Sequence, residues 1–117
     1  MSNSPVRDTL FLAETAFAVD GDGPFYCGDC IAIEGLLSLH PSIAEGLAIQ
    51  RLAFPRPRQV LVALLGEQHQ SLPVLVLAAT AADAVAGSKQ AGQHRVIDDE
   101  AAIRAYLSQR FAVARQR

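Results

Sequence analysis

Both cysteines of the chain stand in one short stretch, FYCGDC, as Cys27 and Cys30. A C-x-x-C pair can cycle between dithiol and disulfide, or it can supply part of a metal site. Two neighbouring thiols without chemistry are the third interpretation. A zinc site needs four ligands, and the other candidates are scattered histidines and acids, so the redox interpretation is favoured. An iron–sulfur cluster shared by two copies of the chain stays open, because each copy would give only one or two cysteines.

The segments around the cysteines indicate how the pair would be held. The apolar run 9–13 predicts a buried strand. A long loop should follow it, because the stretch 20–24, DGDGP, is dense in turn residues. Apolar residues then recur at helical spacing from Cys30 until Pro41. Cys27 is therefore expected at the N-terminus of a helix, where free backbone N–H groups and the helix dipole favour a thiolate.

A second strand and a second helix are predicted next. The run 47–54 has an extended pattern that ends at Pro55. Pro57 is placed to be the first residue of a helix that stops at Gly66. Two such strands in one sheet would be parallel and joined by a right-handed crossover.

The remainder of the chain predicts two strands and a terminal helix. Residues 73–77 form a β-branched and leucine run typical of a buried strand, with proline at its first position. Residues 78–93 are rich in alanine and glycine without clear periodicity, and we expect a flexible loop there. A short strand over 95–97 precedes a helix that Asp98 or Asp99 would cap.

Composition fits one α/β domain spanning residues 1–117, with residues 1–8 as a flexible N-terminus. Half of the residues are hydrophobic, enough for a single core without disulfides. The longest apolar run, 72–79, is too short to cross a bilayer, and the N-terminus has no signal-peptide pattern, so a cytoplasmic protein without membrane contact is expected. The net charge of −2 gives no electrostatic reason to bind nucleic acid.

The order of these features resembles the thioredoxin fold. Its marks are a βαβ unit with C-x-x-C at the first helix, an X-Pro that opens a buried strand, then a strand and a terminal helix. The tail SLPVLVL…RVIDDEAAI is similar to that of glutaredoxins, and the full pattern FYC-x-x-C…AFPRPRQ…QSLPVLVL…DD resembles a bacterial thioredoxin-like group without an assigned function. The resemblance implies a thioredoxin-like fold, with a four-stranded mixed sheet flanked by helices.

The resemblance also implies an activity, thiol–disulfide exchange with a small thiol or a protein disulfide. Cys27 would attack the substrate and Cys30 would resolve the mixed disulfide. The Leu72–Pro73 peptide would be cis and face the cysteines, which leaves the Leu72 backbone free to pair with a substrate. Tyr26 and Ser71 flank these two segments and would contact the substrate as well. No bound cofactor is expected, although glutathione could serve as a co-substrate.

Charged residues could anchor such a ligand. Arg56 and Arg58 are either solvated residues at a helix start or a clamp for a carboxylate such as that of glutathione. By the same resemblance, Asp98 or Asp99 could receive the ammonium group of a glutathione-like ligand. Asp29 stands inside the C-x-x-C, where the resembled families usually have proline or an aromatic residue, and its charge would repel a neighbouring thiolate.

A second class of function is compatible with the same residues. Fold alone does not fix activity, so a thioredoxin-like domain could bind or scaffold partners through this groove without turnover.

Overall fold

The computed structural model describes residues 7–78 and 85–117 of the chain. In this part of the chain seven strands and four helices form a mixed α/β domain. In chain order the elements are β1 (Thr9–Ala13), β2 (Phe17–Val19), β3 (Asp22–Phe25), α1 (Gly28–Leu39), α2 (Ile43–Gly46), β4 (Ala48–Leu52), α3 (Gln59–Leu65), β5 (Val74–Val76), β6 (Lys89–Ala91), β7 (His94–Ile97) and α4 (Glu100–Phe111).

The main sheet has five strands in the order β4-β1-β5-β7-β6. β1 and β4 are parallel and joined through α1, whereas β5 is antiparallel to β1 and β7 is antiparallel to β5. β2 and β3 form a separate antiparallel hairpin between β1 and the cysteines. Consequently β1, β4 and β7 all end at the same end of the sheet, and β5 begins there.

Side chains alternate across β1, which places helices on both faces of the sheet. Leu10 and Leu12 pack on one face with buried residues of α1, α2 and α4. Phe11 points to the other face and packs with Leu61 and Leu65 of α3. Burying both faces explains why every residue of β1 is buried, and why this strand reads as an uninterrupted apolar run.

Several expectations from the sequence need correction. The sheet has five strands and not four, because β6 lies inside the segment 78–93 that was expected to be one loop. The loop expected before the cysteines contains the β2–β3 hairpin, whose short exposed strands give no buried pattern. Pro57 lies before α3 and is not its first residue, because Arg58 is the N-cap.

Two expectations of flexibility fall partly outside the described residues. Residues 1–6 of the expected N-terminal tail and residues 79–84 of the expected loop belong to the part that the structure does not describe. Across the described residues, no helix is both long enough and apolar enough to cross a membrane.

Candidate dithiol site

Cys27 is the N-cap residue of α1, as the sequence predicted. Its backbone is extended, with φ −77° and ψ 114°, and its carbonyl oxygen accepts a hydrogen bond from the Cys30 backbone N–H at 3.1 Å. The first-turn amides of a helix have no partner inside the helix, and they carry the positive end of its dipole. The Cys27 side chain therefore leaves the N-terminus of a twelve-residue helix, where a negative charge is stabilised.

The two thiols differ in exposure. Both are free, but Cys30 is 3 % exposed whereas Cys27 is only partly buried. Burial is the main cause that raises the pKa of Cys30 to about 12, and a hydrogen bond to the Cys27 thiol raises it further. A hydrogen bond from the backbone of Ala13 opposes this rise, while the negative charge of Glu34 adds to it. Cys30 thus holds its proton next to the Cys27 sulfur.

The start of β5 lies beside the cysteines. β5 is antiparallel to β1 and begins at Val74, which pairs with Phe11, so the residues before Val74 lie at the end of the sheet where β1 reaches Ala13. Ala13 is the residue whose backbone hydrogen-bonds to Cys30, and Leu72 packs against the same core cluster as Cys27. The Leu72–Pro73 peptide is cis. The Leu72–Pro73 segment and the two cysteines therefore lie at the same end of the sheet.

β7 ends at the same end of the sheet. Ile97, the last residue of β7, pairs with Leu75 near the start of β5, and Asp98 and Asp99 follow directly. Asp99 caps α4 and accepts a hydrogen bond from the Ala102 backbone N–H at 2.9 Å. The Asp98 carboxylate is 2.7 Å from Nζ of Lys89. Both carboxylates accordingly have partners within the domain.

Arg58 is buried, whereas Arg56 is not. Arg58 is only 8 % exposed. Its guanidinium donates hydrogen bonds to the backbone carbonyl oxygens of Phe54 and Gln70. Arg56 is exposed. Burial is the main cause that lowers the pKa of Arg58, and the charge of Arg56 adds to the lowering, but nearby Cys27 partly offsets both.

Phe17 and Phe54 pack against the same core cluster as Cys27. Phe54 stacks on Phe17, with ring centroids 4.1 Å apart and planes 6° apart. Phe25 is tilted against Phe17 at a centroid distance of 6.4 Å and is two-fifths exposed. Tyr26 is 65 % exposed. Phe25 and Tyr26, the two residues before Cys27 in the chain, thus expose aromatic surface.

The remaining predicted contact residue, Ser71, is exposed and directly precedes Leu72. The structure therefore brings Cys27, Cys30 and Leu72 to one core cluster, and it leaves Tyr26, Arg56 and Ser71 exposed. Sequence reasoning missed Phe54, Gln70 and Glu34. Only the neighbouring AFPRPR pattern could have pointed to Phe54, and nothing in the sequence marks Gln70 as the acceptor for Arg58.

Metal ligands are not gathered around the pair. Among residues 7–78 and 85–117, no group of three or more histidine, cysteine, aspartate and glutamate side chains could hold a metal ion.

These features define a class: a mixed α/β domain with a C-x-x-C pair at the start of its first helix. A family model described as Protein of unknown function (DUF3088) matches residues 7–115. The chain belongs to this family. Comparison with curated proteins finds no match, and neither does comparison with solved structures.

Proposed function

We propose that this domain is a variant of the thioredoxin fold. The order β4-β1-β5-β7, with β1 and β4 parallel and the other neighbours antiparallel, supports it. So do the C-x-x-C at the start of α1 and the cis proline that precedes β5. In this interpretation β6, α2 and the β2–β3 hairpin are additions to the shared core.

The function that this geometry supports best is thiol–disulfide exchange. The Cys27 thiolate attacks a substrate disulfide, forms a mixed disulfide, and expels the other substrate sulfur as a thiolate that takes a proton from solvent. Cys30 then loses its proton and attacks the Cys27 sulfur. This releases the second substrate thiol and leaves a Cys27–Cys30 disulfide, so two electrons pass from the domain to the substrate. A small thiol such as glutathione would return them.

The observation that carries the proposal is the inequality of the two thiols. Cys27 is accessible at a helix N-terminus, while Cys30 is buried and its pKa is raised to about 12. Attack and resolution require this division, because the first thiol must reach the substrate and the second must stay protonated until the mixed disulfide forms.

The surroundings favour a peptide or protein disulfide as the substrate. An extended segment could pair with the Leu72 backbone and lay apolar side chains on Phe25 and Tyr26, which are exposed next to Cys27. A glutathione carboxylate would meet Arg56 as the exposed cation of the AFPRPR segment. Glutathione would then act as the reductant of the domain, in an exchange that needs little binding surface.

Trapping tests the proposal directly. The Cys30→Ser variant should accumulate a mixed disulfide through Cys27 with a model peptide disulfide, and the trap should release the peptide on addition of dithiothreitol. The Cys27→Ser variant is the matched control, and its remaining thiol should react with iodoacetamide at least ~100-fold more slowly at pH 8 than the thiol of Cys30→Ser. Equal reactivity of the two thiols, or no peptide disulfide exchange by the unaltered domain, would leave a binding or scaffold role in place of the enzyme.

A further inference from the structure

The buried side chain of Arg58 joins two loops at the end of the sheet where β1 and β4 end and β5 begins. Nε and Nη2 of Arg58 donate to the Phe54 carbonyl oxygen at 3.0 and 2.6 Å, and Nη1 donates to the Gln70 carbonyl oxygen at 2.6 Å. Phe54 follows β4, and Gln70 lies in the loop between α3 and β5. One guanidinium therefore holds the backbone of both loops.

The side chain of Gln70 strengthens this link. Its Oε1 accepts a hydrogen bond from the Arg58 backbone N–H at 2.7 Å, and its Nε2 donates to the Glu67 carbonyl oxygen at 2.9 Å. Arg58 and Gln70 are thus joined through the backbone and the side chain of each, which fixes the loop before β5 against the start of α3. Leu72 follows Gln70 by two residues and packs against the same core cluster as Cys27.

A series of aromatic contacts connects Arg58 with the segment that carries Cys27. The guanidinium lies 5.2 Å from the centre of the Phe54 ring, within the range of a cation–π contact. Phe54 stacks on Phe17 at a centroid distance of 4.1 Å. Phe17 contacts Phe25 across the β2–β3 hairpin at 6.4 Å, and Phe25 is two residues before Cys27 in the chain. The loop before β5 and the segment before α1 are therefore linked through Arg58.

The arrangement of donors explains why this position is occupied by arginine. Burying a cation is costly, and no ion pair found among residues 7–78 and 85–117 includes Arg58. A guanidinium carries five N–H donors in a planar fork, whereas a lysine ammonium is a single point on a flexible stem. Carbonyl groups from two different loops can be held together by such a fork. The geometry of its donors is thus what this buried cation contributes.

We propose that Arg58 is a positioning residue that makes the site selective for peptide disulfides over small ones, because it holds the loop before Leu72 in place relative to the Phe25 side of the site. The inference rests on the proposed exchange function and deepens it. A small disulfide needs access to the Cys27 sulfur alone, whereas an extended peptide also needs the Leu72 backbone and the exposed aromatic surface in fixed positions. Loss of the Arg58 donors should therefore weaken peptide binding and leave the chemistry of Cys27 unchanged.

Single-turnover oxidation of the reduced domain by an excess of disulfide separates binding from chemistry. Arg58→Met keeps a long side chain and removes its donors. With a model peptide disulfide, this variant should raise the half-saturating concentration about tenfold and leave the limiting rate within about twofold. With glutathione disulfide, its second-order rate constant should also stay within about twofold of the unaltered domain. Arg58→Lys restores one donor group and should give an intermediate half-saturating concentration for the peptide.

Tyr106→Phe is the matched control for a general loss of stability. It removes a hydrogen bond to Asp8, at the opposite end of β1, and should change the exchange with neither disulfide. Equal losses with the peptide and with glutathione disulfide in Arg58→Met, or the same pattern in Tyr106→Phe, would overturn the proposal. If Arg58→Met does not fold, Arg58→Lys alone decides: an unchanged half-saturating concentration for the peptide also overturns it.

Backbone order in solution tests the same role without any disulfide. In Arg58→Met, ¹⁵N relaxation should show order parameters below about 0.6 for residues 67–72, while those of β1 stay near about 0.85. A loop that stays as ordered as β1 in this variant refutes the positioning role, whatever the exchange rates are. Oxidation of the unaltered domain by neither disulfide would remove the exchange function itself. Oxidation by both, without a peptide-specific loss in Arg58→Met, would remove this inference alone.

Discussion

Arg51 donates two hydrogen bonds to the carboxylate of Glu34, from Nε to Oε2 at 2.9 Å and from Nη2 to Oε1 at 2.7 Å. Glu34 lies one helical turn after Cys30, and its charge is among the causes that raise the pKa of that thiol. The ion pair links α1 to β4 and sets how much negative charge Cys30 experiences.

Changing either member of this pair should alter the resolving step in opposite directions. Glu34→Gln removes the charge that disfavours the Cys30 thiolate and should speed release of a Cys27 mixed disulfide about two- to fivefold, whereas Arg51→Gln should slow it. Stopped-flow fluorescence with a labelled peptide disulfide measures both. The Arg51 side chain is 42 % exposed, so each change should cost at most about 1 kcal/mol of stability. Rates that move in the same direction would contradict this role.

Deprotonation of Cys30 should make the reduced protein lose stability in alkali. The folded state raises the pKa of this thiol to about 12, so it binds the proton more tightly than the unfolded chain does. The resulting stability is complete below the unfolded value of about 8.5 and is lost as the pH rises toward the folded value. Urea unfolding measures the free energy of unfolding at about pH 8 and at about pH 10. The decrease between these two pH values should be about 1 to 2 kcal/mol smaller for Cys30→Ala than for the unaltered protein. Parallel pH profiles would refute the burial effect.

Two helical glycines should respond oppositely to alanine. A Cβ at Gly46 would lie 2.3 Å from Cε1 of Phe111, so Gly46→Ala should cost about 1 to 3 kcal/mol by forcing the ring of α4 aside. A Cβ at Gly35 meets nothing within 4 Å, and Gly35→Ala should gain up to about 1 kcal/mol. Thermal unfolding compares them. Adding Phe111→Ala to Gly46→Ala should remove the overlap, and strict additivity of the two changes would contradict the contact.

The hydroxyl of Tyr106 donates a hydrogen bond to Oδ2 of Asp8, and Oδ1 of the same carboxylate accepts from the Ala78 backbone N–H at 2.8 Å. Burial, with the bond to Asp8 second, raises the pKa of Tyr106. Tyr106→Phe should cost about 1 to 2 kcal/mol, because a buried carboxylate loses a donor. The matched control is Tyr26→Phe, since Tyr26 is 65 % exposed and its loss should stay below about 0.5 kcal/mol. Equal effects in urea unfolding would rule out a role for the Asp8 contact.

Local sequence patterns were enough to predict the centre of the fold. β1 and β5 are buried on both faces and read as apolar runs, and the helix pattern after Cys30 correctly placed Cys27 at a helix start. Asp99 proved to be the cap of α4, as one of the two expected candidates. Such signals are local, because burial and capping leave their mark on neighbouring residues.

The features that the sequence missed depend on tertiary contacts. β6 consists of KQA, and its polar residues form a strand only because β7 offers a partner. The β2–β3 strands are short and mostly exposed, so the turn residues dominated their pattern. Arg58 beside a proline has the pattern of a solvated cation, and its burial arises where carbonyls from two distant loops meet.

The two ends of β1 make separate contacts, one with α4 and one with the cysteines. At its beginning Asp8 ties the sheet to α4, and at its end Ala13 meets the dithiol. Five residues of strand separate these ends by roughly 16 Å, a distance at which substitutions usually act independently. Protein engineers could therefore exchange Gly28 and Asp29 for other dipeptides and screen redox variants, while the anchoring end keeps its stability.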